Sequence, residues 1–331
     1  MKHILYCLIF IGGWSVQFVI AQEASEQENS IEVIRAGIPH DALYALEMDG
    51  DWGLAVGNFG LMLETSDGGA SWKELPSMTT KALLGISKSG EEVLVSGQQG
   101  LLLKRDNSGD WSMMESGLEA RLLNIAFTSK LMIAVGEFGF IGRSTDGGVS
   151  WETVGLDWNR FNDEGYEPHL YDAVIQGDGT ILIAGEFGLI LRSTDGGKTF
   201  DAAARGEQSV FDIHMAADGT KIGYAVGQEG LVLKTSDSGL SWSKLKKVTN
   251  SNLLGVWSGH DEVVITGIRE LLRSSDGGVS FSSGSNDIQI GRTWFQGVGA
   301  GTADSNSGAG SVKEESILVV GHQGTIARLT K

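Results

Sequence analysis

A glycine-rich pattern recurs along this chain at a spacing close to 40 residues, and this repetition limits the possible folds more than any other feature. Each copy has an apolar run, a step of the form G-x-x-G, which reads GIRE in the sixth copy, and a second apolar run. The first glycines of these steps are Gly57, Gly97, Gly136, Gly185, Gly227, Gly267 and Gly321. The intervals between them are 40, 39, 49, 42, 40 and 54 residues. Seven copies of this length, with short strands and no helical periodicity, predict an all-β fold: a seven-bladed β-propeller with four strands in each blade.

The third copy shows how one blade divides into strands. Four short runs predict strands one to four, at residues 122–127, 132–136, 140–144 and 150–154. We expect Gly136 and Gly139 to form the hairpin between the second and third strands, because glycine adopts positive φ at little cost.

A second motif, S/T-x-D-G/S-G-x-S/T-W/F, follows the third strand in five copies. This Asp-box places an aspartate and an aromatic residue at Asp67 and Trp72, Asp146 and Trp151, Asp195 and Phe200, Asp237 and Trp242, and Asp276 and Phe281. A shortened form occupies residues 105–111. The carboxylate can accept hydrogen bonds from its own turn, and the ring can pack between sheets. Because one aspartate per blade is spread around a ring, the motif predicts a structural role rather than paired catalytic carboxylates.

The last copy ends without an Asp-box or an outer strand, whereas residues 31–37, IEVIRAG, form an extended segment that precedes the first copy. We predict that this N-terminal segment supplies the missing outer strand of the seventh blade. Such a closure removes two exposed sheet edges at once. The alternative is a linear solenoid, which would leave both ends unpaired.

The first 21 residues have the features of a secretory signal. Lys2 precedes an apolar run from residue 4 to residue 20, and small Val19 and Ala21 occupy the positions before the cleavage site. The sequence therefore predicts a cleaved signal over residues 1–21, a single propeller domain over residues 22–331, and a periplasmic or secreted location. An uncleaved membrane anchor is the alternative, although glycine and polar residues interrupt the run.

Composition excludes several classes of function. Cys7 is the only cysteine and lies within the predicted signal, so the exported chain would hold no disulfide, thiolate metal site or cysteine nucleophile. A net charge of -17 opposes binding to nucleic acid. The histidines that follow the signal lack the spacing of paired metal ligands, and we predict neither a metal nor a cofactor.

The repeats, of the form V-G-x-x-G-x-I-x-R-S-T-D-G-G-x-T-W, resemble those of the photosystem II stability and assembly factors, propellers with BNR or Asp-box repeats. The resemblance covers the chain from about residue 31 to residue 331. It implies a non-enzymatic propeller that binds proteins and assists the assembly of membrane protein complexes. The cyanobacterial members are typically lipid-anchored, whereas Cys7 does not resemble an acylation site. A bacterial relative in the periplasm, monomeric on its own, therefore fits better than a photosystem role.

The same resemblance suggests a partner. Bacterial relatives often occur beside genes for resistance-nodulation-division exporters, which makes a component of such an exporter a candidate protein partner. Contact with the membrane would then occur only through this partner.

Glycoside hydrolysis is the alternative function, because sialidases also carry Asp-boxes. A sialidase needs an arginine cluster, a tyrosine with an activating glutamate, and an acid/base aspartate. Tyr44, Tyr171 and Tyr224 fall in predicted strands, and Tyr166 has no evident arginine triad. The sequence therefore predicts no catalytic residue.

Basic residues precede the aspartate position of the boxes and are one candidate binding set. They are Lys104, Arg143, Arg192, Lys234, Arg273 and Arg328, with Glu64 as the exception. In the family that the chain resembles, arginines of these repeats form a surface patch. The alternative is that each side chain covers a neighbouring sheet or pairs with an acid.

A second candidate set surrounds the long link between the third and fourth copies, residues 155–172. This link should lie on the same face as the G-x-x-G hairpins and opposite the Asp-boxes. Candidate partner contacts there are Trp158, Arg160, Phe161, Tyr166, His169, Phe59, Phe138 and Phe187. Alternatively, the link folds back and Trp158 and Phe161 join the core. The other long interval, residues 300–315, predicts a flexible excursion on the opposite face.

Overall fold

The computed structural model describes residues 30–330, except residues 163, 218 and 305–312. The predicted signal over residues 1–21 lies outside the described residues. Among those described, no helix is long and apolar enough to cross a membrane.

The described strands form seven four-stranded antiparallel sheets. Blades 1 and 2 contain β2 (Leu43–Asp49), β3 (Trp52–Gly57), β4 (Met62–Thr65) and β5 (Lys73–Glu74), then β6 (Leu83–Ser89), β7 (Glu92–Gly97), β8 (Leu102–Arg105) and β9 (Trp111–Met113). Blades 3 and 4 contain β10 (Leu122–Thr128), β11 (Leu131–Gly136), β12 (Ile141–Ser144) and β13 (Glu152–Thr153), then β14 (Leu170–Ile175), β15 (Ile181–Gly185), β16 (Ile190–Ser193) and β17 (Asp201–Ala204).

The remaining three blades repeat this order. Blades 5 and 6 contain β18 (Val210–Met215), β19 (Gly223–Gly227), β20 (Val232–Thr235) and β21 (Ser243–Lys244), then β22 (Leu253–Gly259), β23 (Glu262–Gly267), β24 (Glu270–Ser274) and β25 (Ser282–Ser283). Blade 7 contains β26 (Phe295–Asp304), β27 (Lys313–Gly321), β28 (Ile326–Leu329) and, as its outer strand, β1 (Ile31–Arg35). Single 3-10 turns occur at Asn58–Gly60, Trp158–Arg160, Gln228–Gly230 and Ile290–Arg292.

The inner strands contact one another in circular order, β2, β6, β10, β14, β18, β22, β26 and back to β2. Apolar side chains fill the space between neighbouring blades. One such cluster joins Leu94 of blade 2 to Leu122, Ile125 and Phe127 of blade 3. The predicted seven-bladed propeller is confirmed.

The N-terminal strand closes the ring, as predicted. β1 pairs antiparallel with β28 and places Ile31 opposite Leu329. The Ser30 and Thr330 hydroxyl oxygens lie 2.5 Å apart just beyond this pairing. The solenoid alternative is therefore wrong, because the two ends of the chain share one sheet.

The two faces of the ring carry different loops. The G-x-x-G face holds the hairpins between second and third strands and the links from outer to inner strands; the Asp-box face holds the other two sets of hairpins. Contacts show this division: Gly139 N donates to Pro168 O at 2.7 Å on the first face, and Gly68 N donates to Asp51 O at 2.8 Å on the second. The predicted placement of the long link on the G-x-x-G face is confirmed.

The Asp-box is a closed network within one turn. The Asp146 carboxylate accepts hydrogen bonds from Ser144 Oγ at 2.8 Å, Ser150 N at 3.0 Å and Ser150 Oγ at 2.5 Å. These hydrogen bonds lower its pKa to about 2, because they favour the ionised form. Gly147 and Gly148 have φ of 77° and 86°, and Trp151 Nε1 donates to Gly148 O at 3.1 Å.

The other four complete boxes repeat these contacts at Asp67, Asp195, Asp237 and Asp276. Phe200 is buried, and the rings of Trp72, Trp151, Trp242 and Phe281 are partly buried. The carboxylate-to-turn bonding that the motif predicts is therefore present in all five boxes.

The interval over residues 300–315 differs from its prediction at both flanks. β26 continues to Asp304 and β27 begins at Lys313, with Thr302 paired to Glu315. Thr302 N also donates to Gly50 O of blade 1 at 3.1 Å, so ladder and inter-blade bonds hold this flank in strand form. The prediction for residues 305–312 lies outside the described residues.

Candidate functional site

The third residue of every G-x-x-G step lies in the left-handed region of backbone space. The φ angles are 53° at Phe59, 55° at Gln99, 51° at Phe138, 59° at Phe187, 55° at Glu229, 56° at Arg269 and 57° at Gln323. This conformation costs a non-glycine residue on the order of 1 kcal/mol, and bulky side chains rarely adopt it. Three of the seven positions are nevertheless phenylalanine. Phe59, Phe138 and Phe187 project from these tips and are 68%, 64% and 37% exposed.

In the third hairpin, positive φ occurs at Phe138 and Gly139 and not at the predicted pair, Gly136 and Gly139. Gly139 has φ of 66°, as expected, whereas Phe138 rather than Gly136 is the other residue at positive φ. Gly136 is needed because its backbone packs closely against that of Arg121: a Cβ at Gly136 would lie 2.2 Å from the Arg121 carbonyl oxygen.

Every inner strand carries a β-bulge at its second residue. The pairing register with the second strand shifts across Tyr44, Leu84, Leu123, Tyr171, Phe211, Leu254 and Gln296. A bulge re-aims the extra side chain, and these seven all line a central channel of about 760 Å³. Because the inner strands begin at the G-x-x-G face, the seven residues, here named the bulge ring, surround the mouth of the channel on that face.

The bulge ring is not among the features predicted from the sequence, although the sequence contains a signal for it. Each inner strand begins with a buried apolar residue such as Leu43 or Leu170, and in six blades a second apolar residue follows at once. Strict strand alternation would place a polar residue there.

A series of rings connects a hairpin tip to the channel mouth across blades 3 to 5. Phe138 lies 5.1 Å from His169, His169 6.5 Å from Tyr171, and Tyr171 5.1 Å from Phe211, centroid to centroid. His169 Nδ1 also accepts a hydrogen bond from Phe138 N at 3.1 Å. A continuous series of aromatic side chains therefore connects the exposed tip to two members of the bulge ring, Tyr171 and Phe211.

Exposed apolar side chains are concentrated on this face. Fourteen large hydrophobic residues are exposed in the described part of the chain. Nine belong to the G-x-x-G face: Ile38, Phe59, Met78, Phe138, Tyr166, Phe187, Val248, Ile268 and Ile288. Val149, Leu240 and Val279 are on Asp-box tips, and Val33 and Met113 are on outer strands.

The long link partly contradicts its prediction. Trp158 and Phe161 are buried, 8% and 4% exposed, with ring centroids 5.7 Å apart. The expectation that both are exposed for a partner is wrong, and the alternative is correct: the link folds back so that the Trp158 ring fills the space above Gly139, which has no Cβ. Tyr166 remains 60% exposed, and Arg160 pairs with Asp201 at 3.0 Å.

The fold-back leaves a smaller cavity of about 350 Å³ beside the third hairpin. Phe138, Leu156 and Trp158 contribute to its lining. The buried rings therefore shape the G-x-x-G face from beneath instead of contacting a partner as exposed anchors.

We expect Trp158→Ala to lower the free energy of unfolding by about 3 kcal/mol, because the buried indole would leave a cavity. Chemical denaturation measures this change. Tyr166→Ala, on the same link but exposed, is the matched control and should leave the midpoint unchanged. Equal midpoints for the two variants would show that the link does not pack as described.

Two carboxyl groups, Asp172 buried and Asp212 partly buried, connect blades 3 to 6 along the wall of the channel. Asp172 accepts a hydrogen bond from Asn124 Nδ2 and one from Ile213 N at 2.9 Å, and Asp212 accepts from Val256 N at 2.7 Å. Burial raises the pKa of Asp172 to about 6 and that of Asp212 well above its usual value, with the charge of Asp172 as the second cause for Asp212. No described group of three or more histidine, cysteine or acidic residues is arranged to hold a metal ion.

Comparison with known proteins agrees with this architecture. The family model of the photosynthesis system II assembly factor YCF48 matches residues 20–115. The photosystem II assembly lipoprotein Ycf48 of Synechococcus sp. (strain CC9902) is 31% identical over 118 residues, which are 33% of this chain and 35% of that protein. Over this stretch the chain is similar to Ycf48. The matched stretch spans about a third of the length of this curated relative.

Solved structures extend the likeness in fold to nearly the whole chain. A structure of YCF48 bound to D1 peptide has a TM-score of 0.67 at 15% identity and covers 93% of this chain and 96% of that one. YCF48 from Cyanidioschyzon merolae has a TM-score of 0.66 at 18% identity and covers 90% and 98%. The WD40 propeller domain of Doa1 reaches 0.65 at 12% identity, covering 92% and 97%.

Two of the six basic candidates donate to the Asp-box of the next blade. Arg143 Nε donates to Gly196 O at 2.6 Å and pairs with Glu152 at 2.9 Å, and Lys234 Nζ donates to Gly277 O at 2.7 Å. Both carbonyls belong to the Asp-box of the next blade. Lys104 and Arg273 pair with glutamates within their own blades at 2.6 and 2.7 Å.

These four side chains therefore pair with acids or donate to backbone carbonyls, as the alternative to a surface patch predicts. They do not form a free basic patch. The Arg192 Nε atom and the Arg328 Nε and Nη2 atoms are buried without a hydrogen-bond partner in the described structure. A binding role for Arg192 and Arg328 stays a prediction.

Proposed function

We propose that this chain is a non-catalytic scaffold that binds a protein segment on its G-x-x-G face and thereby assists the assembly of a membrane protein complex. The observation that carries the proposal is the convergence of nine of fourteen exposed large hydrophobic residues on that face, around the bulge ring. Exposed aromatic anchors on a rigid support bury a large area at small entropic cost, as binding hot spots require.

The strained hairpin tips support the same function. Phe59, Phe138 and Phe187 hold bulky side chains in the left-handed conformation while leaving them exposed to solvent. Strain of this kind lowers stability and is concentrated at functional sites. The relatives point in the same direction, since the curated one is named as an assembly protein and one solved YCF48 is described as bound to D1 peptide.

The finer proposal concerns location and partner. Residues 1–21 would direct the chain out of the cytoplasm, and the relative named a lipoprotein supports an extracytoplasmic setting. In that setting a component of a resistance-nodulation-division exporter is the protein partner that we propose, and the chain would contact the membrane only through it.

The hydrolase alternative has less support. Each complete Asp-box carboxylate is committed to its own turn, as at Asp146, and hydrogen bonds keep its pKa low instead of raising it toward that of a general acid. The carboxyl pair in the channel, Asp172 and Asp212, accepts backbone N–H groups from the next blade, which favours a structural role.

We expect the triple variant Phe59→Ser, Phe138→Ser and Phe187→Ser to weaken partner binding by at least about thirtyfold, since one hot-spot aromatic alone contributes about 2 kcal/mol or more. Cross-linking in cells, followed by quantitative recovery of the cross-linked proteins, measures the loss. The melting temperature should stay nearly constant, because the three rings are exposed.

The matched control is Val149→Ser, Leu240→Ser and Val279→Ser, which removes three exposed apolar side chains from the Asp-box face. This control should retain partner recovery. Retained recovery in the phenylalanine variant, or equal loss in both, would contradict docking on the G-x-x-G face.

A further inference from the structure

The interior of the channel, below the bulge ring, is a chamber with an excess of carboxyl groups. Glu47, Asp172 and Asp212 line it, and its only lysine or arginine lining residues among those described are Lys88 and Arg121. Lys88 Nζ is already bound to Asp49 at 2.6 Å, and Arg121 is an exposed residue that precedes β10 at the rim. His214 adds no positive charge near neutral pH, because burial lowers its pKa to about 4.

Among the three described carboxyl groups that line the chamber, Glu47 is the one without a hydrogen-bond partner. It lies on β2, the inner strand of blade 1, and no hydrogen bond or ion pair to it occurs within the described residues. Burial raises its pKa to about 7, although the positive charge of Lys88 opposes this rise. A partly buried carboxylate with no donor is costly, and a cation that entered the chamber would remove that cost.

The walls of the chamber suit a particular kind of cation. Three members of the bulge ring are aromatic, Tyr44, Tyr171 and Phe211, and Trp257 of β22 lines the chamber below them. The faces of aromatic rings attract ammonium and guanidinium groups, above all where water is excluded. A chamber of about 760 Å³ also has room for a long aliphatic stem.

We propose that this chamber binds an organic cation, with Glu47 as its counter-ion and the aromatic residues of the bulge ring as its entrance. In the assembled complex the cation would be a lysine or arginine side chain of the segment that docks on the G-x-x-G face. The source of the cation, though not the chamber itself, rests on the proposed function. Partner recognition would then require a basic side chain at the centre of an otherwise apolar contact.

The experiment uses small probes that need no partner. Nα-acetyl-lysine methylamide, its arginine counterpart and the uncharged Nα-acetyl-norleucine methylamide are titrated into the intact protein at pH 8, with the Trp257 indole N–H signal followed by NMR. We expect saturable shifts with both basic probes and an affinity at least about tenfold lower for the norleucine probe. Equal affinity for the norleucine probe would overturn the proposal.

Substitutions locate the binding. Glu47→Gln keeps the shape of the side chain and should weaken the lysine probe about tenfold or more, and Tyr44→Leu should weaken it through loss of the ring. Glu229→Gln, at an exposed hairpin tip, is the charge-matched control and should have no effect. Unchanged affinity in both the Glu47 and the Tyr44 variants would overturn the proposal.

Two further titrations distinguish the source of the cation and separate the cation site from the docking face. Putrescine that binds much more tightly than the lysine probe would overturn a side-chain source and indicate a free diamine. The triple phenylalanine variant should keep its affinity for the probe, because its substitutions lie outside the chamber. A failure of the docking face and a failure of the cation site are thus distinguishable.

Discussion

Removal of residues 22–37 should lower the melting temperature of the entire propeller by about 10 °C. The deletion takes away β1, which pairs with β28 over registered positions from Ile31 to Arg35, and it removes the buried Ile31 side chain. At about 1 kcal/mol for each of about three ladder hydrogen bonds and about 2 kcal/mol for the isoleucine, the loss is about 5 kcal/mol. A single cooperative transition at the lower temperature is expected, because an open edge weakens both neighbours of blade 7. Calorimetry measures it.

Two variants make this result specific. A control that lacks residues 22–29 alone keeps β1 and should melt like the parent. In a permuted chain, residues 30–37 follow Lys331 through a short glycine-serine turn. Because Ser30 and Thr330 already lie side by side, this chain should regain the lost stability. A deletion variant that melts like the parent would show that β1 does not close the ring.

The melting temperature should fall as the pH rises from 5 to 8. Asp172, Asp212 and Glu47 have pKa values raised by burial, to about 6 for Asp172 and about 7 for Glu47. A carboxyl group with a raised folded-state pKa contributes stability below its unfolded value, and that contribution is lost as the pH rises through the folded value. His214 opposes this trend below about pH 6.5, since its pKa is lowered, but it is one group against three.

Below about pH 4 the melting temperature should change in the opposite direction and fall as the pH is lowered. The pKa of Asp146, Asp237 and Asp276 is lowered to about 2 by hydrogen bonds, so the stability that these groups contribute is present above pH 4 and lost as the pH falls toward 2. Maximum stability is therefore expected on the acid side of neutrality.

Asp212→Asn tests the assignment. The amide oxygen can still accept from Val256 N, and the charge that repels Asp172 is gone, so the variant should be more stable than the parent at pH 8 and show a flatter profile. Asp276→Asn, which alters only an Asp-box, should keep the parental slope between pH 5 and pH 8. A parental profile that is flat over this interval would contradict the raised pKa values.

The features that the sequence predicted correctly depend on local chemistry. Each Asp-box is satisfied within a few residues, as the Asp146 network shows, and each G-x-x-G step closes its own hairpin through a local bond such as Gly136 N to Phe140 O. Each motif therefore specifies its turn wherever it occurs. The closure by β1 was also predictable. One blade lacked an outer strand and the other end of the chain had an extended segment without a partner, so pairing the two removes both exposed edges.

The features that were not predicted from the sequence depend on contacts between residues far apart in sequence, mostly in neighbouring blades. Trp158 is buried because it reaches Gly139 of a hairpin far from it in sequence. The carbonyl partner of Arg143, Gly196, lies 53 residues away in the next blade. Asp172 and Asp212 interrupt apolar inner strands at equivalent positions, a signal that was present in the aligned repeats but acquires meaning only once the inner strands form a ring.

The contact between Ser30 and Thr330 also fixes an orientation. β28 runs toward the Asp-box face, so both ends of the described chain leave from that side, opposite the bulge ring. A lipid, an affinity tag or a surface linker joined to either end would attach the molecule through its Asp-box face. The G-x-x-G face would then point away from the membrane or the solid support. Protein immobilised in this way should present the face proposed for partner binding in a uniform direction.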